Sequence, residues 1–177
     1  MKNYDIIVIG FGKAGKTLAV KAANLGKKVA VIEKSAQMYG GTCINVGCIP
    51  TKKLVNLSKE AQYVNNNVAG EYFTLSIEKK DALVSALRAK NFAMLDGNAN
   101  IDVINGTAKF IDKNSVEVET TDGSKSTLTA QTIVINTGSV NEKPSFEVSS
   151  NLAFDSTGIL NLKTLPKHLA VVGGGYI

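Results

Sequence analysis

The sequence contains no tryptophan, a single histidine and only two cysteines among its 177 residues. A zinc site of cysteine and histidine ligands would be incomplete, because His168 is the one imidazole present. No apolar run approaches the ~20 residues of a membrane-spanning helix, and no signal-peptide pattern precedes the first apolar segment. We therefore expect a cytoplasmic protein with no membrane partner. Because that compartment keeps thiols reduced, the two cysteines are not expected to form a structural cross-link.

The charge is mildly basic and is spread along the chain. Lys and Arg together number 20 and Asp and Glu 15, which gives a formal net charge of +5. Without a clustered basic stretch, we expect a solvated surface with a slight preference for anionic ligands, and no nucleic-acid partner. The hydrophobic share of 44% and the charged share of 20% are ordinary for an α/β domain.

The first 33 residues predict a βαβ unit. Residues 4–10 form an apolar, β-branched run that ends in glycine, which is typical of a strand buried in a parallel sheet. Small and apolar residues recur at helical spacing over residues 13–25, and Gly26 is a suitable stop for that helix. Residues 28–33 form the second predicted strand, joined to the first by a right-handed crossover.

A glycine motif lies between the first strand and the helix. Gly10, Gly12 and Gly15 fit the pattern G-x-G-x-x-G, and Glu33 closes the second strand 18 positions after Gly15. The glycines permit a tight turn and a close approach of backbone to a pyrophosphate, while the helix N-terminus supplies N–H groups. Glu33 is placed to accept hydrogen bonds from an adenosine ribose and would repel a 2′-phosphate. The motif predicts a dinucleotide site without separating FAD from NAD; an ordinary glycine turn is the alternative.

Helices and then strands are predicted in the middle of the chain. One helix should run from Cys43 to about Val64, with an interruption at Pro50, and another should span residues 78–96. Alternating and β-branched stretches separated by Asn, Asp and Gly turn signals follow over residues 101–138. We interpret them as a β-meander that returns to a buried strand at 132–136.

The last third of the chain predicts a linker and a new domain. Residues 141–161 have the composition of a linker, and a buried strand is predicted at 168–172, directly before Gly173–Gly175. A strand followed by a glycine turn is the start of a second βαβ unit, here without its helix. We therefore predict a first domain at 1–142 and, at 143–177, a linker with the truncated start of a second domain.

Cys43 and Cys48 lie five positions apart in a predicted helix. A regular helix separates such positions by ~7.5 Å of rise alone, whereas a disulfide needs Cα atoms within ~4.4–6.8 Å. A bond between them therefore requires a deformed helix, for which Gly47 and Pro50 provide flexibility and a break. Such a bond would be reducible, and a helix N-terminus with Lys52 nearby favours a thiolate. The alternative is two unpaired cysteines packed as small hydrophobic residues.

The segment GGTCINVGCIPTK at residues 40–52 resembles the active-site signature of the class I pyridine nucleotide-disulfide oxidoreductases. These are the flavoprotein disulfide reductases, among them dihydrolipoamide dehydrogenase, glutathione reductase and mercuric reductase. The resemblance covers the chain, from the glycine motif through INTGS at 135–139 to GGGYI at the end. Within the family, GFGKAGKTLAV and MYGGTC are most similar to the bacterial reactive-chlorine-resistance flavoproteins associated with copper(II) reduction. The resemblance implies an amino-terminal fragment with a Rossmann-like FAD-binding domain and the start of an NAD(P)H domain.

The resemblance also implies roles for the matching residues. Cys43 would be the outer thiol that meets substrate, Cys48 the flavin-proximal thiolate, and Lys52 a modulator of the flavin. The other matching residues would contact FAD: Gly10, Gly12 and Gly15 the pyrophosphate, Glu33 the ribose, Ala108 and its neighbours Gly106 and Thr107 the adenine, and Gly41, Thr42, Thr137 and Gly138 the rest of the cofactor.

The implied activity passes electrons from NAD(P)H through FAD to the Cys43–Cys48 disulfide, and on to a disulfide, a metal ion or an oxidant. The implied assembly is a homodimer whose acid–base histidine lies outside this chain, so we expect no turnover by the chain alone. Asn136 departs from the Ala or Thr that many relatives carry before the TG turn. A simple NAD-linked dehydrogenase is one alternative, but it leaves the cysteines unexplained. A soft-metal-binding module is another, but it leaves the glycine motif unused.

Overall fold

The computed structural model describes residues 2–175, which fall into two compact units. The first unit contains the described residues up to Asn45 together with Ala86–Ser139. The second contains Val46–Ser85 and the described residues from Val140 onward. Each unit is therefore discontinuous in sequence, and the domain boundary at residue 142 stays a prediction.

The first unit is built on a five-stranded sheet with strands β1 Lys2–Ile9, β2 Val29–Glu33, β3 Ile101–Asp112, β4 Ser115–Thr120 and β5 Lys125–Ile135. β1 pairs in parallel with both β2 and β5, and β2 pairs in parallel with β3. β3, β4 and β5 form an antiparallel meander. Because β3 and β5 each pair with a parallel neighbour at one end and with β4 at the other, the five strands close into a ring. The predicted parallel strands and meander are confirmed.

Two apolar clusters cover the two faces of the parallel strands. All five residues of β2 are buried, as expected for a strand covered on both sides. One cluster joins Val8 and Val31 of the sheet to Ala19 and Ala22 of α1 Lys13–Asn24. The other fills the space between β1, β2 and the meander, with side chains such as Ile7, Ile32, Val116, Val118 and Leu128. This packing fixes the carboxyl ends of β1 and β2, where the glycine motif and Glu33 lie.

Over residues 2–175, three further α-helices follow: α2 Thr42–Asn45, α3 Cys48–Ala61 and α4 Ala69–Asp96. The single helix predicted from Cys43 to about Val64 is therefore wrong: it is two helices separated by Val46 and Gly47. Gly47 caps α3 with φ −132° and ψ −112°, outside the helical range. Pro50 does not break the helix, because it is the third residue of α3, in the first turn, where its missing N–H has no intrahelical acceptor to lose.

Two strand predictions also need correction. The end of β5 is not a buried strand, since Thr132 and Ile135 are exposed, the latter by 68%. No strand forms at 168–172, because no strand among residues 2–175 hydrogen-bonds with that segment. Helix α4 is also longer than predicted and begins at Ala69. Among the residues that the structure describes, no helix has the length and apolarity to cross a membrane.

Candidate dinucleotide and redox site

The turn between β1 and α1 can be formed only by glycines. Gly10 has φ +104°, and a Cβ atom on it would lie 2.2 Å from the backbone oxygen of Asn136. A Cβ atom on Gly15 would lie 2.6 Å from Val8 Cγ1. Real Cβ atoms do not approach neighbours this closely, so side chains are excluded from the first and third motif positions. The motif glycines therefore allow α1 to pack tightly on the sheet, as their spacing predicts.

The peptide between Gly10 and Phe11 is held at both of its polar groups. Its N–H, on Phe11, donates to Glu33 Oε2 at 2.9 Å, and its carbonyl oxygen, on Gly10, accepts from Asn136 Nδ2 at 2.9 Å. Glu33 is 8% exposed and its Oε1 accepts from the Ser35 N–H at 3.1 Å. Each carboxylate oxygen has a second lone pair, so Glu33 retains acceptor capacity for a ribose hydroxyl.

The start of α1 is electropositive. Its N-cap is Gly12, no side chain caps it, and its first turn has no acidic residue. Lys16 donates from Nζ to Asn91 Oδ1, an uncharged partner, so that bond does not neutralise its charge. Burial, and then the charge of Lys13, lower the pKa of Lys16. Helix N–H groups together with this lysine charge fit a pyrophosphate, which is the group that the motif predicts.

The cysteine-bearing loop packs directly on the glycine turn. The Gly40 N–H donates to the Phe11 carbonyl oxygen at 3.1 Å, and Gly40 and Gly12 form an isolated parallel bridge. A Cβ atom on Gly41 would lie 2.7 Å from Gly12 Cα. Both loop glycines have positive φ, +92° at Gly40 and +77° at Gly41. The two predicted motifs, 30 residues apart in the chain, therefore meet at backbone contact distance.

Asn45 and Arg88 stabilise the same loop and were not predicted. Asn45 closes α2, and its Nδ2 donates to the carbonyl oxygens of Tyr39 at 3.1 Å and Gly41 at 2.9 Å. Its Oδ1 accepts from Arg88 Nε at 2.8 Å, and Arg88 Nη1 donates to Gln37 Oε1. No sequence signal could have found this network, because it joins residues 43 and 51 positions apart.

Tyr39 connects the loop to the core of the first unit. Its ring lies 4.9 Å from that of Phe11 and 4.8 Å from that of Phe92 on α4, centroid to centroid. Its hydroxyl donates to Asn105 Oδ1 at 2.7 Å. Aromatic contacts of this kind add to the energy of burial, so the segment before the cysteines is held rigidly on the glycine turn.

The predicted catalytic residues lie on the two helices that follow. Cys43 is half-buried on α2 in the first unit, after Thr42, which is exposed. Cys48 is the exposed first residue of α3 in the second unit, and Lys52, also exposed, follows one turn later. The helical run is interrupted at Val46 and Gly47 and not at Pro50. The bond itself and the role of Lys52 stay predictions.

The remaining predicted contacts lie beyond both ends of the turn. Thr137 and Gly138 follow Asn136, and Thr137 Cα would be 3.2 Å from a Cβ atom on Gly10. At the other end, Glu33 pairs with Asn105 of β3, directly before Gly106. An open cleft of about 320 Å³ begins there, lined by Lys34, Gly106, Thr107, Glu119, Thr120 and Thr121. Ala108 packs against the meander cluster instead; its contact with the adenine stays a prediction.

The parallel strands, the crossover helix α1 and the glycine turn form a Rossmann-like fold. Residues 4–177 match the family described as Pyridine nucleotide-disulphide oxidoreductase. The chain belongs to this family.

Three relatives illustrate the similarity. The chain is 47% identical over 179 residues to RclA of Escherichia coli, named a probable pyridine nucleotide-disulfide oxidoreductase, covering 100% of this chain and 38% of RclA. It is 40% identical to a mercuric reductase of Lysinibacillus sphaericus, over 99% of this chain and 32% of the reductase. It is also 40% identical to a dihydrolipoyl dehydrogenase of Bacillus subtilis, over 98% of this chain and 38% of the dehydrogenase. The solved Cu(II) complex of the HOCl-induced flavoprotein disulfide reductase RclA superposes with a TM-score of 0.90 at 46% identity, over 99% of this chain and 38% of that one. The chain thus spans less than two fifths of these relatives.

Proposed function

We propose that the chain is the dinucleotide-binding and redox-active part of an FAD-dependent oxidoreductase. In this proposal electrons from NAD(P)H reach a disulfide between Cys43 and Cys48 and leave through the Cys43 thiol. The observation that carries the proposal is the contact of Gly41 with Gly12, because it attaches the loop bearing Cys43 to the turn that would hold the cofactor. Neither a simple dehydrogenase nor a metal-binding module requires these two motifs to touch.

The residues of the chain fit FAD. The glycine turn and the first turn of α1 would hold the pyrophosphate, Glu33 the ribose, and the cleft beyond Gly106 the adenine. Gly41, Thr42, Thr137 and Gly138 would line the opposite end, and Lys52 of α3 would lie near the flavin. Bound FAD supplies the exchange of an electron pair between NAD(P)H and a disulfide. The chain contributes orientation, by holding the Cys43 loop in place through Asn45 and Tyr39.

The two electrons released when the thiols are oxidised can pass to two one-electron acceptors or to one two-electron acceptor. Two electrons and two protons convert the disulfide into two thiols, and oxidation of the thiols restores the bond. Two Cu(II) ions reduced to Cu(I), or one oxidant that accepts two electrons, would complete the cycle. RclA, the relative at 47% identity, is described as HOCl-induced and was solved as a Cu(II) complex. We therefore propose a metal ion such as Cu(II), or a reactive chlorine species, as the electron acceptor. We also propose that the full-length protein is a cytoplasmic homodimer that acts on small substrates and has no nucleic-acid partner.

Two related acceptors are the alternatives. The similarity to mercuric reductase and to dihydrolipoyl dehydrogenase, at 40% identity each, makes Hg(II) and a lipoyl disulfide the acceptors to compare.

The test uses the full-length protein loaded with FAD. Under anaerobic conditions, NADH and NADPH are each supplied with Cu(II), Hg(II) or lipoamide, and Cu(I) is followed with a chromogenic chelator. Alkylation and mass spectrometry then count the thiols formed at Cys43 and Cys48. We expect NAD(P)H to generate both thiols, and turnover with Cu(II) to disappear in Cys43→Ser and Cys48→Ser. Cu(II) turnover that survives in both variants would contradict the proposal; turnover with lipoamide or Hg(II) alone would assign the alternative acceptor.

A further inference from the structure

The side chain of Asn136 lies under the glycine turn. Asn136 directly follows β5, and its backbone N–H donates to the Ile9 carbonyl oxygen at 2.8 Å, which keeps it in register with the end of β1. From there its Nδ2 reaches the Gly10 carbonyl oxygen at 2.9 Å. The residue is half-buried, so this hydrogen bond is partly shielded from water.

Asn136 and Glu33 hold one peptide group from two strands. The carbonyl oxygen of Gly10 and the N–H of Phe11 belong to the same planar unit, so fixing both ends fixes its orientation. Asn136 donates to the oxygen from the end of β5, and Glu33 accepts from the N–H at the end of β2. Because β2 and β5 are the two neighbours of β1, the peptide is held from both sides of the strand that leads into the turn.

Asn136 also accounts for the glycine at the second motif position. A Cβ atom on Gly12 would meet Asn136 Nδ2 at 3.0 Å, and the three nearest atoms to it all belong to Asn136. At Gly15 the same Nδ2 would lie 2.6 Å away, but Val8 Cγ1 is equally close. The amide of Asn136 thus fills the space below the turn, and Gly12 is the position where a Cβ atom would be crowded by this residue alone.

We infer that Asn136 is a positioning residue for the dinucleotide, acting through the Gly10–Phe11 peptide. This inference rests on the proposed function, since it assigns a role within the same cofactor site. Orienting that peptide directs the following N–H groups of the turn toward the bound pyrophosphate. Loss of the Asn136 amide leaves the Gly10–Phe11 peptide held by Glu33 alone and loosens its orientation.

The test measures FAD affinity and folding stability separately in the full-length apoprotein. Asn136→Ala removes the donor and the volume, and Asn114→Ala is the matched control because Asn114 Nδ2 also donates to a backbone oxygen, that of Ala130 at 3.0 Å. We expect Asn136→Ala to weaken FAD binding roughly three- to tenfold, the value of one hydrogen bond. Asn114→Ala should leave FAD affinity within about twofold of the wild type. It should lower the free energy of unfolding about as much as Asn136→Ala does.

A double-mutant cycle tests the same claim sterically. Gly12→Ala should weaken FAD binding when Asn136 is present, because the new Cβ atom meets that side chain. The loss of FAD affinity caused by Gly12→Ala should be smaller in the Asn136→Ala background. If Asn136→Ala does not fold, Asn136→Thr takes its place, because the threonine side chain is shorter and has no amide to donate to the Gly10 carbonyl oxygen. FAD affinity unchanged in the Asn136 variant would overturn the inference. Wild-type protein that binds no FAD would overturn the proposed function instead, so the two failures are distinguishable.

Discussion

Gly12 and Gly41 touch through their backbones: a Cβ atom added to Gly41 would lie 2.7 Å from Gly12 Cα. Gly12 is the N-cap of α1, at the predicted phosphate turn, and Gly41 directly precedes the helix that carries Cys43. No side chain separates the two motifs at this point. A change in one backbone is therefore transmitted directly to the other.

Replacing Gly41 by alanine should separate the redox loop from the glycine turn. Gly26 is a matched control, because its φ of +80° is close to the +77° of Gly41 but nothing lies within 4 Å of its Cβ position. Both substitutions should cost about 1–2 kcal/mol from the left-handed backbone alone. Only Gly41→Ala should in addition weaken FAD binding and slow disulfide reduction by NAD(P)H in the full-length protein. Equal behaviour of the two variants in FAD binding would contradict the contact.

Arg88→Met should loosen the loop around Cys43. The substitution leaves Asn45 Oδ1 buried without its donor, which costs about 1–3 kcal/mol. Hydrogen exchange of the amides in α2 should accelerate, and urea should unfold the protein at lower concentration. Lys90→Met, an exposed change on the same helix, is the control. Unaltered exchange in α2 would show that Arg88 does not hold the loop.

The hydrogen bond between Tyr4 and Asp102 should make stability depend on alkaline pH. The Tyr4 hydroxyl donates to Asp102 Oδ2 at 2.6 Å, and burial, this bond and the carboxylate charge raise the pKa of Tyr4. The hydrogen bond stabilises the fold fully at pH values below the pKa of Tyr4 in the unfolded chain, which is about 10. This stabilisation is lost as the pH rises from there toward the higher pKa of Tyr4 in the folded protein. The free energy of unfolding should therefore fall more steeply above about pH 10 in wild type than in Tyr4→Phe, and the two should converge. Tyr63→Phe, at a residue that is 89% exposed, should follow the wild type; parallel curves for wild type and Tyr4→Phe would refute the coupling.

Local patterns were sufficient for most of the fold. The β-branched runs of β1 and β2, the stop at Gly26 and the turn signals at Asn114 and Gly123 are short-range features, and these elements form close to where they were predicted. The Asn-Gly signal at 105–106 is wrong, because both residues lie within β3. The helix break was misplaced because Pro50 is the strongest local breaker, yet its effect depends on where the helix starts. Since α3 starts at Cys48, Pro50 lies in the first turn and is tolerated.

Tertiary contacts account for what the sequence did not reveal. Residues 168–172 have the composition of a buried strand, but a strand forms only with a hydrogen-bonded neighbour. In the candidate site, the glycines and Glu33 follow a spacing that a single sequence displays. Asn45, Arg88 and Asn136 act through contacts 43 to 126 residues apart, which no spacing rule encodes.

Cys48 and Cys43 are proposed to form a redox pair next to the flavin. The most direct measurement is the absorption spectrum of the full-length, FAD-loaded protein during anaerobic addition of two electrons. A long-wavelength thiolate–flavin band should appear in wild type, because the disulfide takes the electron pair and the flavin stays oxidised. In Cys43→Ser the band should be present before reduction and disappear as the flavin takes the electrons, and in Cys48→Ser it should be absent throughout. The same spectrum in Cys48→Ser and wild type would contradict the claim.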